Sequence, residues 1–190
     1  MSDQLLQEII EKSRRGDEPA FSQLVRRHQT YVFALALRLL CDEHDAEEIV
    51  QQTFIRVWQN LQRYKPEQKF TTWLYRIATN LCLDRLRVRS RDAARVSSLD
   101  QGGVRGDVPD PRGMEEAHSN RELAAIVYRL TSQLPEKQRL VFVLRDLQEL
   151  SIEEVVAVTG MSVGSIKTNL CYARQRIREI LRRQFHVSEA

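Results

Sequence analysis

Cysteine is scarce in this 190-residue chain, and its three copies, Cys41, Cys82 and Cys171, lie far apart with no C-x-x-C pair. A disulfide framework and a zinc module both need closely patterned cysteines, so neither is expected, and a reducing cytoplasm fits the spacing. The longest apolar run, 31–37, is too short to span a bilayer. The first residues lack the positive start and apolar stretch of a secretory signal. We therefore expect a cytoplasmic protein with no membrane insertion of its own.

An excess of one charge is also lacking, since 29 Lys and Arg stand against 26 Asp and Glu, for a net charge of +3. That excess is too small to establish a polyanionic partner, so the distribution of the charge matters more. The hydrophobic share of 42% and the charged share of 29% exclude a collagen-like or wholly disordered chain. The length predicts one domain or two small ones.

Residues 96–119 differ in composition from the rest of the chain. They hold four of the seven glycines, together with Pro109 and Pro111, and five acids against two arginines. Such a composition, with almost no apolar periodicity, predicts a flexible acidic linker. The predicted organisation is a domain at 1–95, the linker at 96–119 and a second domain at 120–190.

Both flanks of the linker show helical periodicity, and no stretch shows the sustained alternation of a strand. Before the linker, Asp17 is the expected N-cap of a first helix, an acidic cluster at 42–48 opens a second with an apolar face that includes Phe54 and Trp58, and a third runs from about Thr71 to Arg89. The predicted fold class is all-α, with two small helical domains joined by the linker.

The segment after the linker predicts a helix-turn-helix. The pair Ser151 and Glu154 forms a capping box that opens a short helix, Gly160 turns the chain, and Ser162 caps a long helix that ends near Arg183. Two further helices are expected before it, over 121–134 and 136–147.

The last helix carries six basic residues and one acid between positions 164 and 184. A basic helix that follows a helix-turn suits the major groove, with the first side chains on base edges and the later arginines on phosphates. The alternative is a solvated amphipathic helix.

The third helix combines arginines with the aromatic residues of the loop 64–70 and of its own first turn. Aromatic faces beside cations suit single-stranded DNA. The alternative places Phe70 and Trp73 in the core and the arginines in solvent. The second helix has a polar face that is acidic at one end, which indicates either a solvated surface or a protein-docking surface.

No enzyme is expected, because no nucleophile and base can be assembled and no glycine motif follows a strand. The acidic residues of segment 42–47 lack the glycine and the final glutamate of a calcium loop, and His28 on an apolar helical face is expected to pack, so neither a metal nor a cofactor is predicted.

Segments 46–64, 69–87 and 134–177 strongly resemble the extracytoplasmic-function (group 4) sigma factors of the sigma-70 family, the initiation subunits of bacterial RNA polymerase. The three motifs occur in the expected order and cover nearly the whole chain outside the linker. The resemblance implies a sigma region 2 helical bundle and a region 4 helix-turn-helix.

By position, the resemblance implies three sets of contacts. Glu48, Gln51 and Gln52 bind the clamp helices of the largest subunit of core polymerase. On the same helix, Phe54 and Trp58 are expected in the hydrophobic core of the protein. Apolar surface around 140–147 binds the flap of the second-largest polymerase subunit. The melted minus-ten strand is bound by Tyr64, Lys65, Lys69, Phe70, Trp73, Arg76 and Asn80. The duplex minus-thirty-five element is bound by Ser165, Lys167, Thr168, Asn169, Tyr172, Arg174 and Arg176.

The resemblance also implies an anti-sigma factor and a monomer when the protein is free. Asn169 stands where many relatives have Arg, and Tyr172 where many have another basic residue, so the groove face is expected to be less cationic and less guanine-seeking. Two other classes stay open: an ordinary helix-turn-helix regulator that binds duplex operators alone, and an adaptor of the anti-anti-sigma kind that binds only proteins.

Overall fold

The computed structural model describes residues 3–96 and 125–185, with side chains described over 4–92 and 125–183. Within these ranges every regular element is helical. From residue 97 onward, the predicted linker lies outside the described residues. In chain order the elements are α1 (Asp3–Arg14), α2 (Glu18–Leu40), α3 (Glu43–Asn60), a 3-10 turn (Leu61–Arg63), α4 (Phe70–Val96), α5 (125–132), α6 (Glu136–Phe142) with its π-helical end (Val143–Leu147), α7 (Ile152–Thr159) and α8 (Val163–Phe185).

The ends of α2 and the start of α3 are set by capping side chains. Asp17 accepts a hydrogen bond from the Ala20 N–H at 2.9 Å, which confirms it as the N-cap of α2. The helix ends where Cys41 takes a left-handed conformation, with φ of +53°. Asp42 follows at once and accepts from the Asp45 N–H at 2.8 Å, so α3 starts in a new direction.

The helix-turn-helix is confirmed in its local chemistry. Ser151 and Glu154 form both bonds of the capping box, and Gly160 ends α7 with φ of +71°, a conformation that glycine adopts without a steric penalty. The Ser165 N–H donates to the Ser162 hydroxyl at 3.3 Å at the start of α8. The predicted short helix, tight turn and long helix are all present.

Three features differ from the sequence-based expectation. Helix α1 is an additional amphipathic helix whose inner face carries Ile9, Ile10 and Ser13. Helix α4 continues past Arg89 to Val96. Only residues 125–132 of the helix expected over 121–134 are helical in the described part of the chain.

Helices α1 to α4 bury a stripe of large apolar side chains between them, including Ile10, Leu24, Leu35, Ile49 and Leu74, each at most 1% exposed. Helices α6 to α8 bury a second stripe, and both stripes belong to one continuous apolar cluster. A smaller cluster joins α5 to α8. None of the described helices has an apolar stretch of the length needed to cross a membrane. Because the apolar cluster is continuous, the segment before the linker (α1 to α4) and the segment after it (α5 to α8) share part of their core.

One edge of the contact between the segments lies between α4 and α7. The Lys69 ammonium is 2.9 Å from Glu154 Oε1, and the Thr72 hydroxyl donates to the same oxygen at 3.4 Å. The Tyr75 hydroxyl donates to Gln148 Oε1 at 2.9 Å. Lys69, just before α4, and two side chains of α4 thus make three polar contacts with Glu154 of α7 and with Gln148 before it.

The other edge lies at the C-terminal end of α2. The Tyr128 hydroxyl donates to the Cys41 carbonyl at 2.7 Å, and Arg139 Nη1 donates to the Leu39 carbonyl at 3.0 Å. Carbonyls at the end of a helix lack intrahelical partners and carry partial negative charge, so a hydroxyl and a guanidinium are suited to them. This edge satisfies backbone groups that α2 leaves open.

Candidate nucleic-acid and polymerase interfaces

Helix α8 presents a polar and basic face to solvent. Its inner face is buried through Ile166, Leu170, Ala173 and Ile177, which lie at helical spacing. The opposite face of α8 therefore points to solvent, starting at the N-terminal end of the helix, next to the Gly160 turn. Of the residues predicted to meet the minus-thirty-five element, the exposed ones are Lys167, Thr168, Tyr172, Arg174 and Arg176, and the half-buried ones are Ser165 and Asn169.

Some of these side chains are already engaged within the protein. Arg174 makes a two-bond ion pair with Asp146, from Nε at 2.8 Å and from Nη2 at 2.7 Å. That hydrogen bonding raises the pKa of the Arg174 guanidinium. Asn169 Nδ2 donates to the Ser165 carbonyl at 2.9 Å and to its hydroxyl at 3.4 Å. Lys167, Thr168, Tyr172 and Arg176 remain as the exposed outer set.

The loop between α3 and α4 is anchored by an aromatic cluster. Tyr64 is 2% exposed and Phe70 is 3% exposed, and their rings meet edge to face at a centroid distance of 5.5 Å. Trp73 lies 5.4 Å from Tyr64 and 5.8 Å from Phe70, and His28 lies 5.3 Å from Phe70. The Tyr64 hydroxyl donates to the Gln68 carbonyl at 2.7 Å, which closes the loop on itself. Burial raises the pKa of Tyr64.

This packing corrects the interpretation in which Tyr64 and Phe70 offer flat faces to bases. The two rings pack against each other, against Trp73 of α4 and, for Phe70, against His28 of α2. They therefore hold the loop in place and do not form its surface. Trp73 is half-buried. The exposed members of the predicted minus-ten set are Lys65, Lys69, Arg76 and Asn80. Arg76 and Asn80 share one face of α4 with Trp73, and Lys69 directly precedes the helix on the same side.

His28 packs beneath this region, as its place on an apolar helical face predicted. It is 5% exposed, and its Nε2 has no hydrogen-bond partner within the described residues. Burial, with a smaller contribution from the charge of Arg27, lowers the pKa of His28 to about 4. An adjoining cavity of about 290 Å³ is lined by Arg27, His28, Tyr31, Thr71, Leu74 and Tyr75.

An apolar groove runs along α2 and α3 on another side of the molecule. Ile55 is 57% exposed and Trp58 is 39% exposed, with the Trp58 ring 4.7 Å from that of Phe21. Two adjoining hollows, of about 530 and 580 Å³, share Gln51 in their walls. We call this surface the α2–α3 groove, lined by Phe21, Phe33, Val50, Gln51, Ile55 and Trp58.

The predicted polymerase-docking residues have different environments in the structure. Gln51 is exposed at its centre, whereas Gln52 Nε2 donates to Glu48 at 2.7 Å and Glu48 also pairs with Arg85 of α4. Glu48 therefore connects α3 to α4, and Gln52 holds the Glu48 carboxylate from within α3. Phe54 is buried as expected, but the expectation of a core position for Trp58 is wrong. Ile55 lies outside the apolar face that periodicity predicts for this helix, and its exposure beside Trp58 was not predicted.

The apolar surface expected around 140–147 also needs correction. Leu140, Val141, Val143 and Leu144 are at most 5% exposed because they fill the core shared with α2. Phe142 and Leu147 are half-buried and form the accessible remainder.

The cysteines are unpaired thiols in three different environments: Cys41 is half-buried, Cys82 is buried and Cys171 is exposed. Burial raises the pKa of Cys41 and raises that of Cys82 to about 12. In the described part of the chain, no group of three or more His, Cys, Asp or Glu side chains has the geometry to hold a metal ion.

Comparison with known proteins matches both segments. Residues 24–92 match the Sigma-70 region 2 family and residues 124–177 match the Sigma-70, region 4 family. The chain is 33% identical over 184 residues to the ECF RNA polymerase sigma factor SigW of Bacillus subtilis, an alignment that covers 94% of this chain and 97% of the relative.

Solved structures show the same fold. CnrH, solved in complex with the cytosolic domain of CnrY, is 25% identical with a TM-score of 0.67, over 93% of this chain and 96% of that one. The sigma factor RpoE of Bartonella quintana, solved with the anti-sigma factor NepR, is 24% identical with a TM-score of 0.68, over 89% of this chain and 98% of that one. This chain therefore belongs to the extracytoplasmic-function sigma factors of RNA polymerase, which direct promoter-specific transcription initiation.

Proposed function

We propose that three separate surfaces divide the work of initiation in this chain. The α2–α3 groove, with Gln51 at its centre, binds the clamp helices of the largest subunit of bacterial core polymerase. The face of α4 that carries Trp73, Arg76 and Asn80, together with Lys65 and Lys69 of the preceding loop, takes the melted minus-ten strand. The outer face of α8 reads the duplex minus-thirty-five element.

The α2–α3 groove is the observation that carries this proposal. It exposes Ile55 and Trp58 beside a polar Gln51 on a chain that also has a helix-turn-helix. Large exposed apolar side chains that line a groove indicate a protein partner. A regulator that binds duplex operators alone has no need of this surface, whereas a polymerase subunit does.

Charge and exposure support the assignment of the DNA surfaces. Arg76 and Asn80 on one face of α4, with Lys69 just before the helix, offer cationic and amide donors, and half-buried Trp73 lies among them. Lys167, Thr168 and Tyr172 lie in the first half of α8, with exposed Arg176 one turn further along. Cations bind phosphates, and groove-facing polar side chains read base edges. The proposed boundaries are region 2 at 1–95, the linker at 96–119 and region 4 at 120–190.

The proposed partners follow from these surfaces. Phe142 and Leu147 are the accessible apolar side chains for the flap of the second-largest subunit. An anti-sigma factor that covers the α2–α3 groove would prevent polymerase binding; CnrH and Bartonella RpoE were both solved with a partner protein. Because its partners would be core polymerase and promoter DNA, the protein would act in the cytoplasm, without catalysis of its own.

Run-off transcription with purified core polymerase on a pool of genomic promoter fragments tests the proposal. Transcripts that depend on the protein are expected, and Trp58→Ala combined with Gln51→Ala should reduce them by about tenfold or more, as loss of a central interface cluster does. Val88→Ala is the matched control, because Val88 is 50% exposed on α4, outside the groove. No transcript, together with tight duplex binding without polymerase, would favour the ordinary regulator.

A further inference from the structure

The C-terminal end of α1 is joined to the 3-10 turn that precedes the loop between α3 and α4. The Gln62 side chain donates to the Arg14 carbonyl, and Arg14 Nη2 donates to the Gln62 carbonyl at 3.3 Å. The last carbonyls of a helix lack partners within it, so Gln62 satisfies a group that α1 leaves open. Two segments that are 48 positions apart in the chain are therefore held side by side.

Four exposed cations lie within three positions of the joined residues. Lys12 and Arg15 belong to the end of α1, and Arg63 and Lys65 flank Tyr64. Tyr64 has an extended backbone, with φ of −66° and ψ of 132°, and its ring is buried. Neighbouring side chains of an extended segment project to opposite sides, so Arg63 and Lys65 face away from the core. We call Lys12, Arg15 and Arg63 the α1–turn rim.

The protein does not neutralise these cations itself. Over the described ranges, neither Lys65 nor any residue of the α1–turn rim makes an ion pair. Of the acids in the same segment, Glu11 is paired with Arg14 at 2.8 Å, and Asp17 accepts the N-capping hydrogen bond of α2. Adjacent cations without carboxylate partners repel one another and attract a polyanion.

The rim is continuous with the surface proposed for the melted strand. Lys65 belongs to that surface, Arg63 lies two positions before it, and Arg15 lies across the joint between the two segments. Protein interfaces are depleted of charge at their centre, whereas this row consists of cations, so a phosphate backbone suits it better than a protein partner. The region 2 family match begins at residue 24, so α1 lies outside the matched range.

We propose that the α1–turn rim binds the phosphate backbone of the melted strand beyond Lys65, and so extends strand capture from α4 to α1. This inference rests on the proposed function, because it takes the minus-ten surface as its starting point. Phosphate contacts position a strand and carry no base information. The rim therefore adds affinity for melted promoters of any sequence, while the face of α4 selects the bases.

The test measures binding of labelled single strands, by fluorescence anisotropy, to holoenzyme assembled from core polymerase and the full-length protein. The strands come from a promoter recovered by run-off transcription. The short strand is limited to the minus-ten element, and the long strand has several further nucleotides at each end. The rim variant combines Arg15→Gln with Arg63→Gln. Arg129→Gln with Lys137→Gln is the matched control, because it removes the same charge from exposed positions outside the proposed DNA surfaces.

The rim variant should bind the long strand several-fold more weakly than the wild type does. The salt slope of that binding should fall by about 1.4, since each phosphate contact with a single strand contributes about 0.7. Binding of the short strand should be unchanged, and the control should bind both strands as the wild type does. Arg15→Lys with Arg63→Lys should keep the affinity for the long strand, because an ammonium also binds a phosphate.

Equal affinity of the wild type and the rim variant for the long strand would overturn the inference. An equal loss on both strands would also overturn it, because it would indicate a displaced loop and not a lost phosphate contact. Weaker assembly of the rim variant with core polymerase, measured without DNA, would assign the cations to a protein contact instead. Arg76→Gln separates the two proposals: if it leaves binding of the short strand unchanged, the strand surface proposed on α4 is wrong.

Discussion

The Arg174 guanidinium lies against the Asp146 carboxylate in a two-bond pair, with Nε 2.8 Å from Oδ2 and Nη2 2.7 Å from Oδ1. This pair joins the middle of α8 to the π-helical end of α6. Arg174 therefore links two helices of region 4. Arg176 lies two positions further along the same helix and is exposed outside this pair.

The two arginines should therefore respond differently to substitution. Arg174→Ala is expected to lower the free energy of unfolding by about 1 kcal/mol, since a two-bond pair on the surface is worth more than a simple one. Arg176→Ala should leave stability nearly unchanged, but weaken duplex binding and lower the salt slope by about one. Urea unfolding and salt-dependent binding of a promoter fragment recovered by transcription measure both. A loss of duplex affinity in Arg174→Ala without a loss of stability would show that Arg174 contacts DNA directly.

Stability should fall as the pH is lowered, through His28. Its pKa is lowered from 6.5 to about 4 in the fold, so the unfolded chain binds the proton more readily at any pH between these values. The stabilisation by neutral His28 is complete above pH 6.5 and is lost progressively as the pH falls towards 4. Between about pH 7.5 and about pH 5 this linkage amounts to about 2 kcal/mol. Urea unfolding at the two pH values measures it.

His28→Leu should have a shallower pH dependence of stability than the wild type, although its stability at neutral pH is expected to differ. His44→Gln is the matched control, because His44 is exposed at the start of α3, and it should keep the wild-type slope. The same slope in His28→Leu and in the wild type would assign the acid sensitivity to carboxylates instead.

The three thiols should react with iodoacetamide at clearly different rates. Cys171 is exposed and should be modified first; Cys41 is half-buried with a raised pKa and should follow slowly. Cys82 is buried with a pKa of about 12 and should react only on unfolding, because the thiolate is the nucleophile. Intact-mass measurement over time, repeated with Cys171→Ser, assigns each step. Two fast modifications in the native protein would contradict the half-buried position of Cys41.

Local signals in the sequence were sufficient for most of the helices. Asp17 as an N-cap, the Ser151–Glu154 capping box and the Gly160 turn each depend on residues within four positions of one another, and all three are confirmed. Helix α1 was not predicted, although its apolar positions recur at helical spacing. The class of protein was also predictable, because three motifs in order identify the family.

The candidate surfaces were predictable only in part, because helical periodicity cannot show which of two apolar faces is covered. Tyr64 and Phe70 are buried in the loop, whereas Ile55 and Trp58 are exposed in the groove. All four are large and apolar, so their neighbours in space determine their exposure.

The sequence by itself determined the all-α class, the caps, the helix-turn-helix and the sigma-factor family, since these depend on contacts or motifs between residues that are near in the chain. Only the tertiary structure decided which polar groups are already engaged. Arg174 meets Asp146 across 28 positions, Glu48 meets Arg85 across 37, and Thr72 meets Glu154 across 82. Such pairs form because packing of the apolar faces brings distant helices together, so a pattern read along the chain does not contain them.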